Sequence, residues 1–196
     1  SSFRPTADAV HKKKFSFDWR RDIIYVGFVA VVVVFAIILR DQGFVSTTSL
    51  LNILRQTAIV TVIAVGMTYV IAAAEIDLSV GSVAGLASVV TAMTISTFGL
   101  VPGIIAGLLV GAAVGAINGA LVAFVKIPSF LVTLAMMGIA FGVAQWTTAS
   151  APQPILDMTF NNAFGGGNIG PIPVLIIWML IAVVIGSVVL KKMRFG

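Results

Sequence analysis

Six apolar segments account for most of the chain: Ile23–Leu39, Thr57–Ala74, Leu78–Phe98, Ile104–Phe124, Phe130–Trp146 and Ile172–Leu190. Each has roughly the 17–25 residues that a transmembrane helix needs. None shows the two-residue alternation of a membrane-barrel strand. A backbone inside lipid must satisfy its own hydrogen bonds, so helices are the predicted form. The pattern predicts an all-α, polytopic membrane helix bundle of about six transmembrane helices. Gly99–Gly103 with Pro102, and Lys126–Ser129 with Pro128, read as tight turns. Asp41–Gln56 reads as a link in which Thr48–Gln56 forms a short interfacial helix. Thr147–Pro171 is the one long connection between spans, and its Pro152, Pro154, Gly165–Gly167 and Pro171 predict irregular structure. The chain thus divides into a tail over 1–22, a bundle over 23–190 and a polar end over 191–196.

Composition sharpens the membrane reading. Hydrophobic residues make up 59% of the chain and charged residues 10%. A soluble domain carries about 25% charged residues. The mean hydropathy is +1.12. The net charge of +5 does not indicate nucleic acid, because the basic residues flank apolar spans. They cluster at His11-Lys12-Lys13-Lys14, Arg20-Arg21, Lys126 and Lys191-Lys192-Met193-Arg194, with Arg40 and Arg55 on the opposite side. With six crossings, the positive-inside rule places both termini in the cytoplasm and Thr147–Pro171 outside. The first apolar run follows a long polar tail and has no Ala-x-Ala exit, so it reads as a retained anchor rather than a signal peptide. There is no cysteine, hence no disulfide framework and no thiol chemistry.

Glycine spacing predicts how the helices meet. Gly107, Gly111, Gly115 and Gly119 recur every four residues on the fourth span. Gly81 and Gly85 repeat the spacing on the third span, and Gly138 and Gly142 on the fifth. Small residues so placed let helix backbones approach closely. The surface they form serves either packing within the chain or a seam between two copies.

Candidate chemistry is sparse. Between Thr57 and Val125 the only charges are Glu75 and Asp77, in Glu75-Ile76-Asp77-Leu78-Ser79. An ionised group near lipid is expensive and requires a reason. One reading makes Asp77 the cap of a helix beginning near Leu78, assisted by Ser79. The other makes the segment a break beside a transport path or gate. Asn118 lies within the glycine stripe, and its amide needs a partner, either on another helix or along a pathway. Gln145 and Trp146 close the fifth span, Trp146 as an interfacial anchor and Gln145 as a candidate pathway residue. Gly165–Gly167 lacks the Gly-Lys-Ser/Thr that completes a phosphate-binding loop. No catalytic set and no metal cluster is evident, and His11 stands alone in the basic tail.

Two runs carry a resemblance: Ala64-Val65-Gly66-Met67-Thr68-Tyr69-Val70-Ile71, and Ile76-Asp77-Leu78-Ser79-Val80-Gly81-Ser82. With Gly111–Val122, Pro128–Leu134 and Gln153-Pro154-Ile155, the sequence resembles the ribose/xylose-type permeases of bacterial ABC sugar importers over about Asn52–Gly196. Glu75 stands where such permeases usually carry glycine. The resemblance implies a multi-pass permease of the bacterial inner membrane that forms the path for a monosaccharide. It implies a second permease copy in a homodimeric pore and a cytoplasmic tandem-domain ATPase that holds ATP and Mg. It further implies a periplasmic sugar-binding protein, and no cofactor on this chain. Such permeases are longer and carry a cytoplasmic coupling segment where this chain reaches Lys191–Gly196, so it looks like an N-terminal portion of one. Three alternatives stay open: an ABC permease for an amino acid or nucleoside, a secondary transporter using Glu75 and Asp77, and a non-transporting scaffold.

Overall fold

A computed structural model describes residues 19–192, with side chains from residue 23 onward. The expected tail before Trp19, with its basic clusters and His11, and the segment 193–196 lie outside the described residues. The helices are α1 (Trp19–Ile38), α2 (Thr47–Ala72), α3 (Val80–Phe98), α4 (Leu100–Ala123), α5 (Ser129–Thr147), α6 (Met158–Phe164) and α7 (Val174–Lys192). Short strands β1 (Asn168–Ile169) and β2 (Ile172–Pro173) pair antiparallel. Five of these helices, α2 to α5 and α7, are long and apolar enough to cross a membrane, and Ile23–Ile38 is a shorter apolar helix. The all-α membrane bundle expected from the sequence is the architecture found. The chain divides into two compact units, Ser1–Leu50 and Leu51–Gly196. In the first, α1 is followed by one turn of 3-10 helix at Arg40–Gln42, and the Phe35 and Phe44 rings lie 6.1 Å apart.

Three boundaries differ from expectation, each for a physical reason. The interfacial helix expected at Thr48–Gln56 is instead the start of α2. Ser46 Oγ accepts from the Ser49 N–H at 3.2 Å, and no glycine or proline follows to stop the helix. At 26 residues, α2 is about 39 Å long, more than the roughly 30 Å of hydrocarbon. The turn expected over Gly99–Gly103 contracts to Gly99 alone, at φ +93°. Pro102 sits in the first turn of α4, where its missing N–H is no loss. The loop expected to be irregular over Thr147–Pro171 contains α6 and most of a hairpin. Asp157 Oδ1 accepts from the Phe160 N–H at 2.7 Å and caps α6. Gly170, at φ +61°, takes the first position of the two-residue turn between the strands. The indole N–H of Trp178 donates to the Ala163 carbonyl at 2.7 Å, and the Phe164 and Trp178 rings stack at 5.2 Å.

The second unit is built on α3, which packs mainly against α4 and then α5. Leu86, Ala92, Val132, Met136 and Ala140 form most of its buried apolar core. Among the described residues, the glycine stripe meets a neighbouring helix closely at one end. A Cβ on Gly107 would collide with Thr91, and one on Gly103 with Ile95. At Gly111, Gly115, Gly119, Gly81, Gly85, Gly138 and Gly142 a Cβ would meet nothing within 4 Å. A four-residue repeat rotates by about 40° per step around a helix of 3.6 residues per turn. The stripe therefore faces α3 at Gly103 and Gly107 and then turns away. The packing glycine that spacing did not reveal is Gly186 on α7. Its Cβ would lie 2.5 Å from Val65 Cγ1, and its carbonyl accepts from the Tyr69 hydroxyl at 2.6 Å.

Two stability predictions follow from this geometry. Gly107→Leu should separate α3 from α4 and cost roughly 1–3 kcal/mol or more, as overpacking does. Gly111→Leu should leave the melting temperature of the detergent-solubilised monomer unchanged. Equal melting points for the two variants would remove the close contact. Ala74 ends α2 at φ +58°. Ala74→Gly should relieve that conformation and raise stability by up to about 1 kcal/mol, whereas Ala72→Gly inside the helix should lower it by about 1 kcal/mol. Destabilisation by both would mean that Ala74 is unstrained.

Candidate functional site

The site is the break between α2 and α3, and it is built from backbone groups that the helices leave over. The Ala74 N–H donates to the Ile71 carbonyl at 2.9 Å, and the Glu75 N–H reaches back to Val70 at 3.1 Å. This is a Schellman closure with alanine in the left-handed position normally held by glycine. Glu75, the position at which the resemblance implies glycine, is one residue beyond that left-handed position and is not among the positive-φ residues. Glycine is not required there.

The next residues are fixed by neighbouring helices. The Ile76 N–H donates to Ser129 Oγ at 3.2 Å, and the Ile76 carbonyl accepts from Thr133 Oγ1 at 3.3 Å. Thr133 is 3% exposed. Neither residue was singled out from sequence, although Ser129 and Thr133 are four apart at the start of a span and so share a face. Asp77 Oδ1 accepts from the Ser79 N–H at 2.7 Å and from the Ser79 hydroxyl at 2.6 Å. The first bond makes an Asx turn. The bond expected of Asp77 toward the backbone at the helix start is present, with Ser79 assisting, but the helix starts later than the expected Leu78. α3 begins at Val80, its N-cap residue is Ser79, and no side-chain cap bond is formed. Asp77 instead shapes the backbone that leads into the helix, and its charge still suits the positive helix end.

Asn118 joins this group from α4. Its Nδ2 donates to Ser79 Oγ at 3.2 Å. Ser79 is 1% exposed and Asn118 7% exposed. Asn118 Oδ1 is buried and has no hydrogen-bond partner among the described residues. An unsatisfied buried acceptor costs about 1–3 kcal/mol. The structure therefore brings Asp77, Ser79 and Asn118 into one hydrogen-bonded chain, with half-buried Glu75 beside it in the sequence. Gln145 is not part of it. It lies on an exposed face near the far end of α5, 16 residues beyond Ser129 and roughly 24 Å along the helix. Trp146 beside it is 82% exposed, in keeping with an interfacial position.

An apolar cavity among the described residues lies elsewhere. It has about 470 Å³ and is lined by Ala58, Val62, Phe164, Leu175, Trp178 and Ile181, among others, all of them apolar. Its one polar side-chain group, the Trp178 indole N–H, is already given to the Ala163 carbonyl. Among the described residues no cluster of three or more His, Asp or Glu is placed to hold a metal ion.

Similarity to known proteins sets this geometry in context. The chain is 41% identical over 162 residues to the inner membrane ABC transporter permease protein YjfF of Escherichia coli K12, covering 79% of this chain and 48% of that protein. It is 45% identical over 134 residues to the xylose transport system permease protein XylH of the same organism, covering 63% and 34%. It is 38% identical over 174 residues to the ribose import permease protein RbsC of Bacillus subtilis, covering 88% and 53%. The chain thus spans between about a third and about half the length of these relatives. No solved structure matches it significantly. Residues 49–196 match the family described as branched-chain amino acid transport system / permease component, and the chain belongs to that family of multi-pass inner-membrane permeases.

Proposed function

We propose that this chain supplies part of the membrane path of an ATP-driven monosaccharide importer. The observation that carries this reading is its similarity, at 36–45% identity, to permeases named for xylose and ribose. A galactofuranose transporter permease of Escherichia coli K12 is also similar, at 37%. The chain binds no cofactor in this reading. ATP and Mg are held by a separate cytoplasmic tandem-domain ATPase, and a periplasmic binding protein delivers the sugar. Both termini are cytoplasmic, which agrees with the basic ends of the spans. A second permease copy completes the pore. The glycines of α3, α4 and α5 that meet nothing in this chain support such a partner, because close approach between helices needs small residues.

The family description favours a second reading, in which the cargo is an amino acid. A secondary transporter using Glu75 and Asp77 is less well supported, since Asp77 Oδ1 already accepts two hydrogen bonds from Ser79. Uptake of labelled ribose, xylose and leucine, in cells that express a full-length permease containing this chain with its ATPase and binding protein, separates these cases. The expected result is sugar uptake that stops when ATP is depleted. Leucine uptake without sugar uptake would transfer the reading to amino acids. Sugar uptake that survives ATP depletion and stops on collapse of the proton gradient would replace it with a secondary transporter.

Topology has its own test in this cysteine-free chain. Asn161→Cys should react with an impermeant maleimide on intact cells, and Val125→Cys only after permeabilisation. The opposite pattern would invert the bundle.

A further inference from the structure

We propose that Arg55 and the apolar cavity next to it form a site for one anionic phospholipid, with the phosphate at the guanidinium and an acyl chain in the cavity. The inference does not depend on which cargo is carried.

Helix geometry places the two parts together. Ala58, Ile59 and Val62 line the cavity from α2, and they follow Arg55 at three, four and seven residues. Residues so spaced share one face of a helix. The opposite walls come from Phe164 of α6 and from Leu175 and Trp178 of α7. Asn168, on β1 between those two helices, accepts from Arg55 Nη2 at 2.8 Å. The Arg55 side chain therefore bridges α2 and the hairpin at one end of the cavity.

Depth makes that end a headgroup position. Arg55 stands 17 residues before Ala72, roughly 26 Å along α2. With the α2–α3 break at one membrane surface, Arg55 lies close to the other, since the hydrocarbon is about 30 Å thick. Trp178, four residues into α7, lies near that same surface, where aromatic belts form.

Charge selects the occupant. Guanidinium has five N–H donors. Two are used here, on the neutral amide oxygens of Asn168 and of Asn52, the latter at 3.0 Å. The Nε N–H is buried without a partner, and among the described residues no carboxylate pairs with Arg55. A charged donor group left short in this way is costly. A partner helix would have to carry a carboxylate to the edge of the hydrocarbon, which is also costly. A phospholipid already has its anion at that depth and an apolar chain directly below. The cavity, of about 470 Å³ and apolar in its lining, suits the chain and offers nothing to a polar molecule.

The test reads contact at the cavity wall. The chain has three tryptophans, so Trp19→Phe with Trp146→Phe leaves Trp178 as the sole reporter. This protein is placed in phosphatidylcholine nanodiscs containing graded fractions of a lipid brominated on its acyl chains, which quenches tryptophan on contact. Brominated phosphatidylglycerol should reach half-maximal quenching at about one fifth of the fraction that brominated phosphatidylcholine requires, the ratio that corresponds to roughly 1 kcal/mol per interfacial Arg. Arg55→Gln should bring the two lipids level, and Arg55→Lys should keep part of the preference. Ala182→Phe, which narrows the cavity and leaves the guanidinium in place, should weaken quenching by phosphatidylglycerol. Equal quenching by the two lipids with Arg55 present would overturn the proposal. So would a preference that survives intact in Arg55→Gln. Failure of both lipids to quench Trp178 would show the cavity covered by protein, a second copy included, and would overturn it as well.

Discussion

A helix interrupted at a membrane must find partners for the backbone groups it leaves over, because lipid supplies none. The α2–α3 break is arranged around that requirement. Its first N–H groups return to α2 by way of Ala74 and Glu75. Its middle is held by Ser129 and Thr133 of α5. Its end is held by Asp77, with Asn118 of α4 behind Ser79. The same bonds therefore close the backbone and fix α4 and α5 beside α3. Packing in this unit is arranged around a polar segment, even though most of its surface is apolar.

The α3–α4 pair shows how two kinds of contact divide one interface. Near the Gly99 turn the helices are held by shape, with Gly103 and Gly107 admitting Ile95 and Thr91. At the opposite end they are held by a hydrogen bond from Asn118 to Ser79. Helical geometry explains why one face does both. Asn118 is 11 residues beyond Gly107, and three turns of 3.6 residues bring it back to within about 20° of the same direction. Gly111, Gly115 and Gly119 follow a four-residue step and drift away from that line. The stripe that stands out in the sequence is therefore not the line along which α4 touches α3.

This explains what the sequence made legible. The spans were readable because lipid imposes long apolar runs, and α3, α4, α5 and α7 emerged within a few residues of expectation, while α2 starts at Thr47 rather than Thr57. Their ends were less readable, because a boundary such as Ser46 or Gly99 depends on one cap or one dihedral angle. Asp77, Ser79 and Asn118 stood out because polar groups are costly in such surroundings. Their joining did not, because Asp77 and Ser79 are 39 or more residues from Asn118 and only the fold brings them together. Thr133 escaped notice for the opposite reason. A threonine in a membrane helix ordinarily bonds its own backbone, as Thr133 does to the Ser129 carbonyl at 2.8 Å, so its second bond to the break leaves no mark in the sequence.

In the proposed importer, the depth of the polar chain constrains how a hydrophilic cargo passes. Asn118 is five residues from the end of α4, roughly 8 Å along its axis. The polar chain therefore reaches a turn or so into the bundle from one rim, while Gln145 stands at the other. Between them, the interior of the second unit is mostly Leu, Val, Ala and Met with hydroxyl groups such as Thr91. A sugar hydroxyl entering that interior would lose its water without finding a partner, which is costly in an apolar medium. The faces left open in this chain are the outward sides of α3, α4 and α5, where glycine exposes backbone. A path for such a cargo is consistent with those faces meeting another surface, and not with the packed centre of this one.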